Sequence, residues 1–136
     1  MRQPFVSAAA PRPGGSYSQV MRAGDLVFTA GMGPVDPESG QTVGTSVEEQ
    51  TAQVLDNLEA ALAAAGCSLA DVVKVTTHLA EVHRDFAGYD AVYRERMPEP
   101  YPVRTTVGST LLDILVEIDV VALVPDAAQA TAPDQG

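Results

Sequence analysis

Two charged residues near the C-terminal end hold the most chemical promise in this sequence. Arg104 follows Pro102-Val103 and opens an extended segment whose same-face neighbours are Thr106 and Gly108. Glu117 falls in the next apolar segment, opposite the row Val116, Ile118, Val120, Ala122 and Val124. An arginine offers a planar fork that grips a carboxylate through two charge-assisted hydrogen bonds. A carboxylate beside it can hold a water and take its proton. If the two segments pair as a hairpin, guanidinium and carboxylate meet on one face. The same pair also reads as a structural salt bridge within or between subunits, and the pattern leaves both readings open.

Other chemistries find little support. Gly14-Gly15 and Gly31-Met32-Gly33 lack the spacing and the following helix of a phosphate-binding loop. His78 reads as a strand residue and His83 as a loop residue, and neither has the cysteine or carboxylate neighbours of a metal site. Cys67, after the helix-ending Gly66, reads as a small buried thiol. No Ser-His-Asp or Cys-His arrangement can be argued. Neither metal nor cofactor is expected.

The elements that must position Arg104 and Glu117 follow from periodicity. Residues 4–16 are rich in Pro, Ala and Gly and read as an extended, turn-rich lead-in. From Gln19 to Ala30 the pattern is strand, turn at Ala23-Gly24-Asp25, strand. Gly31 to Gly44 reads as loop with at most a short edge strand at Gln41–Val43. Ser46 and Glu49 form a capping box, and Val47, Val54, Leu55, Leu58 and Leu62 recur at helical spacing until Gly66. A turn at Ser68–Asp71 leads into a β-branched strand, Val72–Ala80. A second helix is predicted from Arg84 to Met97, with Phe86, Tyr89, Val92, Tyr93 and Met97 along one side, ended by Pro98, Pro100 and Pro102. Strands at Val103–Ser109 and Leu115–Leu123 close the pattern.

This order predicts an α+β fold, a mixed sheet covered on one face by two helices. The chain reads as a single domain over 1–125, with 126–136 a disordered tail rich in Ala, Gln, Asp and Pro. On the last strand the second face carries Leu115, Glu117, Asp119, Val121 and Leu123, too apolar for water and too charged for a plain core. That face predicts self-association.

Charge narrows the partners further. Eight basic residues against eighteen acidic ones give a net charge of −10, and the basic ones are scattered singly. Such a surface repels a polyanion, so nucleic acid is disfavoured as a partner. No apolar run reaches the roughly 18–20 residues of a membrane span, and the N-terminus lacks the apolar stretch of a signal peptide. A single cysteine leaves no internal disulfide, which makes the cytoplasm the default compartment.

The sequence resembles the Rid (YjgF-type, reactive intermediate deaminase) family. The likeness is carried by Gly15-Ser16-Tyr17-Ser18-Gln19, Leu26-Val27-Phe28-Thr29-Ala30-Gly31 and Asp36-Pro37-Glu38-Ser39-Gly40. It continues through Gln50-Thr51, Asn57-Leu58 and Asp71-Val72-Val73-Lys74-Val75, and through the stretch from Phe86 to Tyr93. Pro102-Val103-Arg104-Thr105 and Val116-Glu117-Ile118-Asp119 complete it, in order and without large insertions.

The resemblance implies a chorismate-mutase-like homotrimer, with three sheets forming a central barrel, helices outside and clefts between subunits. It implies hydrolytic deamination of enamine and imine intermediates such as 2-aminoacrylate to 2-keto acids and ammonia, without a cofactor. Arg104 would hold the substrate carboxylate, Glu117 would serve the water, and Tyr17 would join them as the third catalytic residue, lining the same cleft as the substrate-binding Gly31. Ala30 replaces the family's usual serine, Met32 a glutamine, Asp90 an asparagine and Thr106 a common cysteine; Ala30, Asp90 and Thr106 join the expected substrate-binding set. A non-catalytic acid-binding or regulatory trimer and a specialised pathway enzyme using the same cleft are the alternative readings.

Overall fold

The computed structural model describes residues 1–125, and the expectation about the tail falls outside the described residues. The first helix, α1 (Val47–Ala64), starts where the sequence demands. Ser46 Oγ accepts from the Glu49 backbone N–H at 3.1 Å, and Glu49 Oε1 accepts in return from the Ser46 N–H at 3.2 Å. It ends on Gly66 at φ 78°, where Cys67 N–H donates back to the Leu62 carbonyl at 2.9 Å. Val54, Leu55, Leu58 and Leu62 are fully buried, each contributing about 1.5–3 kcal/mol through burial.

Six strands form one sheet: β1 (Arg2–Phe5), β2 (Val20–Ala23), β3 (Leu26–Thr29), β4 (Val72–Leu79), β5 (Val103–Gly108) and β6 (Val116–Leu123). Their order is β1-β2-β3-β6-β4-β5. All neighbours are antiparallel except β4 and β5, which run parallel, so the sheet is mixed as expected. The second helix, α2 (Val82–Arg96), connects these two, the crossover that a parallel pair requires. β1 was not foreseen, because Pro4 and the polar Arg2-Gln3 mask a strand that lies at the sheet's edge. α2 begins two residues earlier than expected and takes in His83, since Glu81 supplies no side-chain cap to mark the start.

Val27, Val75, Leu79, Val116, Ile118, Val120 and Ala122 are buried on the face the helices cover. The opposite face carries Leu26, Phe28, Val103, Val107 and Leu123, all exposed. Leu115 does not belong to that face: it is half-buried against the core at the start of β6. Cys67 is buried, and burial pushes its thiol pKa up. No helix among the described residues is long and apolar enough to cross a membrane, and among them no group of three or more His, Cys, Asp or Glu could hold a metal ion.

Candidate functional site

The expected hairpin does not form. β4 lies between β5 and β6, so the strands of Arg104 and Glu117 are not neighbours. Arg104 pairs in register with Val75, and Val75 with Val120, which places it on the helix-covered face. Glu117 pairs with His78 on the opposite face. Within one chain the two side chains therefore leave the sheet on opposite sides, and an intrachain salt bridge between them is excluded.

Each residue sits in its own cluster of side chains. Arg104 lies at the edge strand with its guanidinium carbon 4.5 Å from the centroid of the Tyr93 ring, 5.5 Å from that of Tyr89 and 5.6 Å from that of Phe86. Such cation–π contacts are worth about 0.5–2 kcal/mol and fix the plane of the fork. Its Nη1 donates to Asp90 Oδ1 at 2.7 Å, and Asp90 Oδ2 accepts from Arg94 Nη2 at 3.2 Å. Burial works against the Arg104 charge, but Asp90 and the tyrosines outweigh it and its pKa is raised. The Arg104 hydrogen bond holds the Asp90 carboxyl below its ordinary range, with Arg94 adding to the effect. Tyr93 is pushed up to about 12, chiefly by burial. Asp90, Tyr93, Arg94, Tyr101, Pro102 and Arg104 line an open cleft of about 400 Å³. Thr106, two residues along β5, shares this face and approaches the Tyr89 hydroxyl, which is hydrogen-bonded to Thr77 at 2.6 Å.

The other cluster surrounds Glu117. Its carboxylate packs against Gly31 so closely that a Cβ built there would lie 2.5 Å from Glu117 Oε2. Any larger residue at this position would have to push the flexible Glu117 carboxylate aside. The segment is held in place by Met32, whose N–H donates to the Ile118 carbonyl at 2.8 Å and whose side chain is buried. An amide at 32 would therefore enter the core, so the departure at Met32 is a packing feature. Tyr17 and Gly31 line one cleft, and Tyr17 and Ala30 the next. The Tyr17 hydroxyl accepts from the Gly14 N–H at 2.9 Å. The structure thus groups Tyr17, Ala30, Gly31 and Glu117 together, apart from Arg104, Asp90 and Thr106.

Three buried amides position this cluster, a role the sequence did not reveal. Asn57 Nδ2 donates to the carbonyls of Gly33 and Val35, both at 2.9 Å, tying the loop after Gly31 to α1. Gln50 Oε1 accepts from the Leu115 N–H at 2.8 Å, anchoring the start of Glu117's strand. Gln19 Oε1 accepts from the Ser7 N–H at 2.7 Å and its Nε2 donates to the Pro11 carbonyl at 2.7 Å, which shapes the loop before Tyr17. For Gln50 and Asn57 the available signal was an amide facing the helical core stripe, where only a satisfied polar group survives.

Comparison with known proteins agrees with this architecture. A family model described as Endoribonuclease L-PSP matches residues 7–124. A RutC family protein of Pyrococcus horikoshii is 43% identical over 124 residues, covering 90% of this chain and 98% of that protein. Reactive Intermediate Deaminase A, chloroplastic, of Arabidopsis thaliana is 40% identical over 115 residues, covering 83% of this chain and 61% of that protein. The crystal structure of RidA from the Antarctic bacterium Psychrobacter sp. PAMC 21119 superposes with a TM-score of 0.85 at 34% identity, covering 90% of this chain and 99% of that one. The chain belongs to the Endoribonuclease L-PSP family, the YjgF/Rid family that its sequence resembles.

Proposed function

We propose that the protein hydrolyses reactive enamine and imine acids to 2-keto acids and ammonia, in clefts between the subunits of a homotrimer. The observation that carries this reading is the division of the site. Arg104 waits at an edge strand on one face, while Glu117, Gly31 and Tyr17 stand ready on the other. A second copy laid against the exposed face of Leu26, Phe28, Val103 and Leu123 covers apolar surface and lets one chain's Arg104 meet another's Glu117. Three copies closing in this way form a central barrel.

An enamine first takes a proton from solvent at its terminal carbon and loses one from nitrogen, becoming the imine. In such a cleft Arg104 holds the substrate carboxylate and presents the carbon–nitrogen double bond to Glu117. Glu117 takes a proton from water as its oxygen attacks the imine carbon, giving a carbinolamine. Return of that proton to nitrogen, followed by transfer of the hydroxyl proton, lets ammonia leave and the carbonyl form. Tyr17, Ala30, Gly31, Thr106 and Asp90 line the space around the reacting acid. The net charge of −10 disfavours an RNA substrate for this chain. A cytoplasmic enzyme meeting intermediates released by other reactions suits the lone buried thiol.

The direct test is a coupled assay that generates 2-aminoacrylate or a branched-chain imino acid and traps it as a semicarbazone. The protein is expected to suppress semicarbazone formation and speed 2-keto acid release. Light scattering should give three times the 14.2 kDa chain mass; a monomer mass at every concentration removes the interfacial site. Gly31→Ala should then lower turnover sharply with little change in Tm. Its Cβ, 2.5 Å from Glu117 Oε2, displaces the carboxylate, and misplacing a catalytic group by about 1 Å can cost about 10²-fold. Full activity in Gly31→Ala would show that the Glu117 position is not catalytic.

Loss of the hydroxyl at Ala30 and the pairing of Asp90 with Arg104 favour a second reading, an acid-binding trimer without turnover. It predicts ligand binding but no semicarbazone suppression. A specialised pathway enzyme would act in the same cleft on a different substrate and fail only with these.

A further inference from the structure

We infer that Asp90 sets the charge preference of the Arg104 cleft, favouring small carboxylates that also bear a cationic nitrogen over plain monoanionic acids. This rests on the reading of Arg104 as the carboxylate-binding group and adds a second determinant to it.

The Arg104 fork is already partly engaged. Asp90 Oδ1 takes one hydrogen bond from Nη1 at 2.7 Å, and the two side chains are similarly shielded, 24% and 25% exposed. The Tyr93 ring occupies one face of the guanidinium, so a ligand approaches along an edge or from the other face. A guanidinium has five N–H donors, and Asp90 uses one of those that could serve a ligand. Any acid that docks on the remaining donors comes to rest a few ångströms from a second carboxylate. Among the six residues of this chain that line the cleft, Asp90 is the sole acid; a neighbouring copy's Glu117 would add the same charge to wild type and Asp90→Asn alike, so it cancels when the two are compared.

Arg94 engages the other Asp90 oxygen at 3.2 Å, but its side chain is 65% exposed and screened by solvent. Asp90 therefore remains a real negative charge at the ligand's position. It repels a bare monoanion and attracts an ammonium or iminium group carried next to the carboxylate. Both Asp90 oxygens have lone pairs left for such an N–H, since each accepts a single hydrogen bond here. A protonated 2-imino acid has this charge pattern. Its 2-keto acid product does not, so the same charge would help release product.

Calorimetric titration with 2-aminobutyrate and 2-oxobutyrate, which share a carbon skeleton, tests this. The wild type should bind the amino acid more tightly. Asp90→Asn keeps a neutral acceptor for Arg104 and removes only the charge. It should shift the affinity ratio toward 2-oxobutyrate by about tenfold, the size expected of one unit charge a few ångströms away at a partly exposed site. Wild-type preference for 2-oxobutyrate, or an unchanged ratio in Asp90→Asn, would overturn the inference and leave Asp90 as a prop for Arg104. The same titrations on Arg104→Lys separate this failure from that of the parent reading. If Arg104→Lys binds both acids as the wild type does, or if no protein binds either, Arg104 is not the carboxylate site and both readings fall.

Discussion

Glu117→Gln is expected to lower imine hydrolysis by about 10²–10⁴-fold, the usual worth of a positioned general base, while leaving acid binding in place. Glutamine keeps the shape of the side chain and its contact with Gly31, so the half-site stays packed. It cannot take a proton from water. In the proposed trimer Arg104 would come from another copy, so the carboxylate of a bound acid should not sense the change strongly. Semicarbazone trapping measures the turnover, and titration of 2-aminobutyrate measures the binding. Activity retained in Glu117→Gln would show that another group activates the water. Binding without activity in the wild type itself would establish the acid-binding reading, and Ala30→Ser is then the first variant in which turnover should emerge.

Arg104→Lys is expected to weaken 2-aminobutyrate by roughly 10–100-fold. Lysine keeps a positive charge near Asp90 but loses the second arm of the fork, and a hydrogen bond to a charged group is worth about 1.5–3 kcal/mol. Its ammonium also lacks the flat face that lies over Tyr93 at 4.5 Å, so the charge wanders in the cleft. The fold should survive, because Arg104 is not part of the buried core. A melting temperature near that of the wild type together with weaker binding places the effect in the site. Unchanged affinity would leave the Arg104–Asp90 pair as a surface brace between β5 and α2.

The residue pattern alone determined the first helix and the apolar rows of the core. The Ser46–Glu49 box, the apolar stripe through Leu62 and the stop at Gly66 are local devices, and each formed where its chemistry required. The alternation along Val116–Val124 likewise separated a buried face from one that was neither core nor surface. The resemblance of the quoted motifs pointed to the family. The start of α2 was harder to read, since no capping side chain announces it.

What only the tertiary structure decided is which strands are neighbours. Alternation assigns residues to two faces of one strand but says nothing of the strand beside it, and pairing across a sheet is long-range. A helix between β4 and β5 is the connection of a parallel pair. It puts β4 where the hairpin had been expected and sends Arg104 and Glu117 to opposite faces. The Arg104–Asp90 bond, the stack on Tyr93 and the close approach of Glu117 to Gly31 join residues 14, 11 and 86 positions apart. No local period encodes such distances, and packing of α2 and the Gly31 segment onto the sheet creates all three contacts.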